Sequence, residues 1–198
     1  MSLKKYIQFL SNKLIESCST AKPTPPYSYF HITKVPKISL LDFMLRINKY
    51  LFKPYSQSDK MVLWTHVIIL LDKYITHSNR HLSSYTIHRL LAISCLLTVK
   101  QLMDDHEDNE LAARVFGLTL GECNFLEMNF FFDIKFESHI PLEVYADYQN
   151  KLEIGLQVMD TSLLRFKLPN IKELPIEQDS IHDLCNGIEK ARISKVKL

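Results

Sequence analysis

The chain has 198 residues, 46% hydrophobic and 23% charged, which suits one ordinary globular domain with room for appendages. A formal net charge of +2 is too small for the bulk field to recruit nucleic acid or an anionic membrane. Four cysteines without a CxxC pair argue against a zinc ribbon or a disulfide framework, and no apolar run reaches the roughly 18 residues of a membrane span.

With only 4 Gly and 8 Pro, and apolar runs longer than a strand needs, the chain is expected to be all-α. Ser2 to Glu16 places Leu3, Tyr6, Ile7, Leu10 and Leu14 at helical spacing opposite a lysine-rich side, with no unbroken apolar core of a secretory signal. Cys18 to Lys37 carries Pro23, Pro25, Pro26 and Pro36 and reads as an extended connector. Ser39-x-x-Asp42 opens a helix whose apolar face is Leu40, Phe43, Met44, Ile47 and Leu51, and Pro54 ends it. Ser56-x-x-Asp59 opens the next, through Trp64, Val67, Ile68, Leu71 and Ile75 to a polar loop at His77. Ser84 to Met103 contains LLAISCLLTV, apolar all round, so this helix is expected at the centre. Asp108 or Asn109 caps a short helix ending at Gly117, and Thr119-x-x-Glu122 starts another that ends near Asp133. Pro141 suits the first position of a last helix with Val144, Tyr145, Tyr148 and Leu152 on one side. After Pro169 and Pro175 comes a tail with a basic end at Lys190, Arg192, Lys195 and Lys197.

A few ionic residues stand out because burying charge without a partner is costly. Lys100 and Glu127 each close an apolar run. They can form a salt bridge inside the bundle, remain solvated helix ends, or face a partner. Asp72 interrupts VIILLDKYI and calls for a cation, whereas Arg46 can pair either with it or with Asp42 one turn earlier. The stripe Phe125, Phe130, Phe131, Phe132, Phe136 exceeds what one buried face requires, so at least one ring is expected at the surface. His77 and His81 in a polar turn are weak metal candidates. The acidic link from Asp104 lacks the glycine and ligand spacing of a calcium loop. No Gly-rich phosphate loop, GxSxG or HExxH is present, so neither an enzyme nor a cofactor or metal site is expected.

The order HRLL from His88, then Lys100, an Asp, an Asn, an Ala, a Val and a Gly, then E-x-N-x-L-E-x-x-F from Glu122, resembles the cyclin box. Within the cyclins it is most similar to the P/U-type, from about Val35 to about Leu152. The resemblance implies a single five-helix cyclin box at 38–140, preceded by an N-terminal helix and Pro-rich connector at 1–37 and followed by a C-terminal helix and basic tail at 141–198. It implies a regulatory subunit that binds and activates a cyclin-dependent serine/threonine kinase. Lys100 and Glu127 would hydrogen-bond kinase main chain, and Leu97 and Phe131 would line a pocket for an apolar side chain. Gln101 stands where many cyclins place an apolar residue. The resemblance also implies that Arg46 and Asp72 pair inside the fold, and that His88 and Arg89 serve as internal hydrogen-bonding residues. The expected setting is intracellular, in cytoplasm or nucleus, without direct nucleic-acid or membrane contact and without an obligate homo-oligomer. The alternative is a cyclin-fold transcription factor or helical adaptor without a kinase.

Overall fold

A computed structural model describes residues 2–19, 27–103 and 108–159. Seven helices follow one another among these residues: α1 (Leu3–Ser17), α2 (Leu40–Tyr50), α3 (Gln57–Ser78), α4 (Ile87–Leu102), α5 (Asn109–Phe116), α6 (Leu120–Asp133) and α7 (Leu142–Met159). The acidic link 104–107, the prolines at 23, 25 and 26, and the basic tail lie outside the described residues. No described helix is long and apolar enough to cross a membrane.

The helix starts follow from local chemistry. Ser39, Ser56, Asp108 and Thr119 each accept a hydrogen bond from the backbone N–H three residues on. At Ser56 and Thr119 the acidic third residue returns the bond to the cap's own N–H, completing a capping box. Two starts differ from expectation. The central helix begins at Ile87, because residues 83–86 form a turn in which Thr86 and Ile87 donate N–H to the Ser83 carbonyl. The last begins at Leu142, with Pro141 one place outside and accepting the Tyr145 N–H.

The helix α3 runs past the expected loop at His77. His77 Nδ1 lies 2.9 Å from the Lys73 carbonyl and Ser78 donates to the Tyr74 carbonyl at 2.7 Å, so both polar side chains bond back along the helix. It stops at Asn79, which adopts the left-handed conformation. Gly117 ends α5 in the same conformation, with Leu118 N–H reaching back to the Ala113 carbonyl.

The centre is α3 against α4. Every residue from Leu63 to Tyr74 and from Leu90 to Val99 is buried. Around this pair, α1 packs on α2 and α3, α5 on α6, and α7 on α3. The Tyr6 and Thr65 hydroxyls, 2.7 Å apart, join α1 to α3. The connector is pinned by backbone bonds, Ser19 N–H to the Leu82 carbonyl and Ile32 N–H to the Tyr85 carbonyl. The helix α6 lies beside α4 and α5.

Candidate functional site

Three helices converge on Glu127. Lys100, in the last turn of α4, donates to Glu127 Oε1 at 2.6 Å. Asn109, the first residue of α5, donates from Nδ2 to Glu127 Oε2 and to Asn124 Oδ1, each at 2.8 Å. Glu127 is therefore held through both carboxylate oxygens, by one cation and one amide. Such charge-assisted bonds fix side-chain geometry more tightly than neutral ones. The pair is not sealed: the side chains retain 28% exposure at Lys100 and 14% at Glu127.

The neighbouring candidates divide by burial. Phe131, one turn beyond Glu127, is half-buried and stacks on Phe136 with ring centres 6.0 Å apart. Leu97 lies in the core with 1% exposure, so it stands beneath the surface rather than on it. Gln101 is exposed, and its Oε1 lies 3.2 Å from Nε2 of buried His66. Burial is the main cause holding the His66 imidazole below its ordinary pKa, with Lys73 and His139 adding repulsion and the Gln101 bond opposing them. Among the described residues no three His, Cys, Asp or Glu side chains gather where a metal ion could be held.

The expected pairing of Arg46 with Asp72 is not made. Asp72 is buried and accepts its hydrogen bond from the Tyr148 hydroxyl of α7. Burial, the larger cause, raises the Asp72 pKa against the lowering effect of that bond. Arg46 is exposed on α2 and donates to the Arg114 carbonyl at 3.0 Å, satisfying a carbonyl at the C-terminal end of α5. The physical reason is one of reach: α7 covers the Asp72 side of α3, while α2 turns Arg46 toward α5. A second cation, Lys73, does the same after α6, donating to the Glu137 and His139 carbonyls at 3.1 and 2.6 Å. Burial lowers the Lys73 pKa, partly offset by Glu137.

A model of the cyclin family, described simply as Cyclin, matches residues 8–138. The chain belongs to the cyclin family. It is 33% identical over 140 residues to Cyclin-U4-2 of Arabidopsis thaliana, covering 69% of this chain and 62% of that protein. It is 31% identical over 166 residues to Cyclin-U4-3 of the same plant, covering 79% of this chain and 73% of the relative. The PHO85 cyclin-like protein psl1 of Schizosaccharomyces pombe is 31% identical over 129 residues, with 64% and 51% covered. This cyclin therefore spans less than two thirds of some relatives' length. Within the family it is related to the plant U- and P-type cyclins.

Two residues of this cyclin's polar network were not singled out from the sequence. Asn109 reads there as a helix cap, a role that falls to Asp108, and this leaves the Asn109 amide for Glu127. Asn124 was visible only as the N of E-x-N-x-L-E. His88 and Arg89 do bond internally. His88 Nε2 lies 3.3 Å from the Ile38 carbonyl, and Arg89 reaches Glu122 at 3.2 Å and the Tyr29 and His31 carbonyls at 3.5 Å.

Proposed function

We propose that this cyclin binds a cyclin-dependent serine/threonine kinase and activates it by docking the kinase's glutamate-bearing helix on the α4–α6 face. The observation that carries the reading is the Lys100–Glu127 pair, held at 2.6 Å yet part-exposed, beside half-buried Phe131. A helix end presents unpaired N–H and C=O groups. A fixed cation and anion side by side offer a donor to one and an acceptor to the other. Phe131 contributes apolar area over the floor that Leu97 supplies from below, and Gln101 forms the rim. The printed name of psl1, a cyclin-like protein of PHO85, is in keeping with this class of partner. The kinase helix has outward and inward states, and a rigid face that binds only the inward one shifts the population toward it. Inward, the helix glutamate pairs with the ATP-orienting lysine. The cyclin contributes binding free energy and no chemistry.

The test uses Lys100→Glu, Glu127→Lys and the double swap. Each single variant sets like charges together and is expected to lower both stability and kinase binding. The swap restores the internal pair and hence the melting temperature, but reverses the polarity offered to the kinase backbone, so binding and activation stay lost. Loss of a desolvated charged contact is worth about 2–5 kcal/mol, roughly thirty-fold or more in affinity. A swap that recovers binding as well as stability assigns the pair to the bundle alone. If no kinase of this class copurifies or responds, the reading gives way to a cyclin-fold adaptor without a kinase.

A further inference from the structure

The kinase reading uses the side of α6 that carries Glu127 and Phe131 and leaves another side without a role. Gly121, Phe125, Met128 and Phe132 succeed one another at intervals of four, three and four residues, and so form one stripe along α6. Its direction is opposite Cys123, Leu126 and Phe130, the buried residues of the helix. Phe136 extends it past the C-terminal end. The four large side chains are each between 46% and 64% exposed, and contiguous apolar surface of this kind marks an interaction site.

The rings are fixed in place before any partner arrives. Tyr29 meets Phe125 edge-on at 5.3 Å, Phe132 meets Phe136 edge-on at 5.2 Å, and Phe131 stacks on Phe136. Lys135 and Phe136 are held in the left-handed conformation, with φ of 54° and 61°. Phe136 N–H reaches back to the Phe131 carbonyl and Lys135 N–H to the Phe132 carbonyl, so the turn is a closed cap whose apolar contact is the Phe131–Phe136 stack.

The stripe is self-complementary under reversal. About a point between Met128 and Asn129, Phe125 mirrors Phe132, Glu122 mirrors Lys135, and Gly121 mirrors Phe136. An anion near the N-terminal end thus answers a cation at the C-terminal end. The smallest residue answers the most exposed ring of the stripe, and a Cβ at Gly121 would meet nothing within 4 Å. Glu122 already receives Arg89 but keeps 48% of its side chain exposed, and Lys135 has no ion pair among the described residues. An isologous interface needs this property: each patch must match its own two-fold image.

We propose that the Phe125–Phe132 stripe of α6 is a self-association surface, on which a second copy of this chain docks antiparallel about a two-fold axis. Phe125 of each copy packs on Phe132 of the other, Phe136 fills the space over Gly121, and the Glu122 and Lys135 side chains close the two ends. The contact is a reversible dimer that forms without a kinase.

Sedimentation velocity of the full chain over a concentration series tests it without a kinase. The wild type is expected to show a concentration-dependent monomer–dimer equilibrium. Phe132→Glu is expected to weaken it tenfold or more, and Lys135→Glu, at an exposed turn, to weaken it in low salt with recovery as salt rises. The double variant Phe125→Lys with Phe132→Glu sets opposite charges at facing positions and should restore association in low salt only. Circular dichroism confirms that each variant is folded. If Phe132→Glu fails to fold, Lys135→Glu alone decides. A wild type that stays monomeric up to ~1 mM, or a dimer indifferent to both Phe132→Glu and Lys135→Glu, overturns the proposal. If the wild type is monomeric and Phe132→Glu abolishes kinase binding, the stripe belongs to the kinase.

Discussion

Glu127 has two carboxylate oxygens, and the fold uses them separately: Lys100 takes one, Asn109 the other. Asp72 presents the opposite case, a buried carboxylate whose partner is a neutral phenol. A hydroxyl offsets only part of what a charged group loses on leaving water. Burial accordingly raises the Asp72 pKa above its ordinary value of 3.8. The sign of its linkage follows. Between the unfolded and the raised folded pKa the native state binds more protons, so this contribution to stability falls as pH rises through that window. Asp72→Asn keeps an acceptor for Tyr148 and removes the charge. It is expected to raise the unfolding midpoint at neutral pH, with the gain shrinking toward about pH 4. Denaturant unfolding of both proteins at several pH values checks this, and a neutral-pH loss would restore a cationic partner for Asp72. Arg46→Ala should cost only about 0.3–1 kcal/mol, the worth of a cation at a helix C-terminus.

At the scale of elements, helix ends receive help from other helices. Arg46 of α2 serves the end of α5, and Lys73 of α3 serves the turn after α6. Helix contacts also depend on glycine at one place. A Cβ at Gly155 of α7 would stand 2.8 Å from Cζ of Phe9 on α1, whereas one at Gly121 would meet open space. Alanine should improve helix propensity by up to about 1 kcal/mol at either site. At Gly121 that gain should appear in the urea midpoint. At Gly155 the Phe9 ring is in the core, and overpacking of this kind costs about 1–3 kcal/mol. Gly155→Ala is therefore expected to destabilise while Gly121→Ala stabilises. Equal gains would mean that α1 and α7 are not in tight contact.

Over the whole molecule, one buried and one half-buried histidine are expected to make the fold acid-sensitive. His66 of α3 faces Gln101 of α4, with Lys73 and His139 nearby, and His88 of α4 lies against the Ile38 carbonyl and the Phe43 ring. Burial is the first cause lowering both below 6.5. The unfolded state then binds more protons in the window below 6.5, so the stability these groups contribute is present above it and is lost as pH falls through their folded pKa values. Denaturation free energies measured between about pH 7.5 and 5 should fall with acid, and the double variant His66→Gln, His88→Asn should flatten that slope. An unchanged slope would assign acid sensitivity to other groups.

What the sequence determined by itself lies within a few residues of its cause. Ser56 with Asp59 and Thr119 with Glu122 mark helix starts because cap and partner are three residues apart. The all-apolar LLAISCLLTV could only be a central helix. The excess of phenylalanines on α6 required exposed rings, and Phe125, Phe132 and Phe136 are those rings. The family order of residues was legible for the same reason, since it is a pattern along the chain. Partners of charges were not. Asp72 announced its burial by interrupting an apolar run, but its hydroxyl comes from Tyr148, 76 residues later. Lys73 sits in the same run, and its acceptors are main-chain carbonyls, which carry no signature in side-chain identity. Asn109 was released for Glu127 only because Asp108 took the cap. Local hydrogen bonds are set by sequence spacing, whereas pairings across the bundle are set by which helix faces packing brings within about 3 Å of each other, and only the tertiary structure decides that.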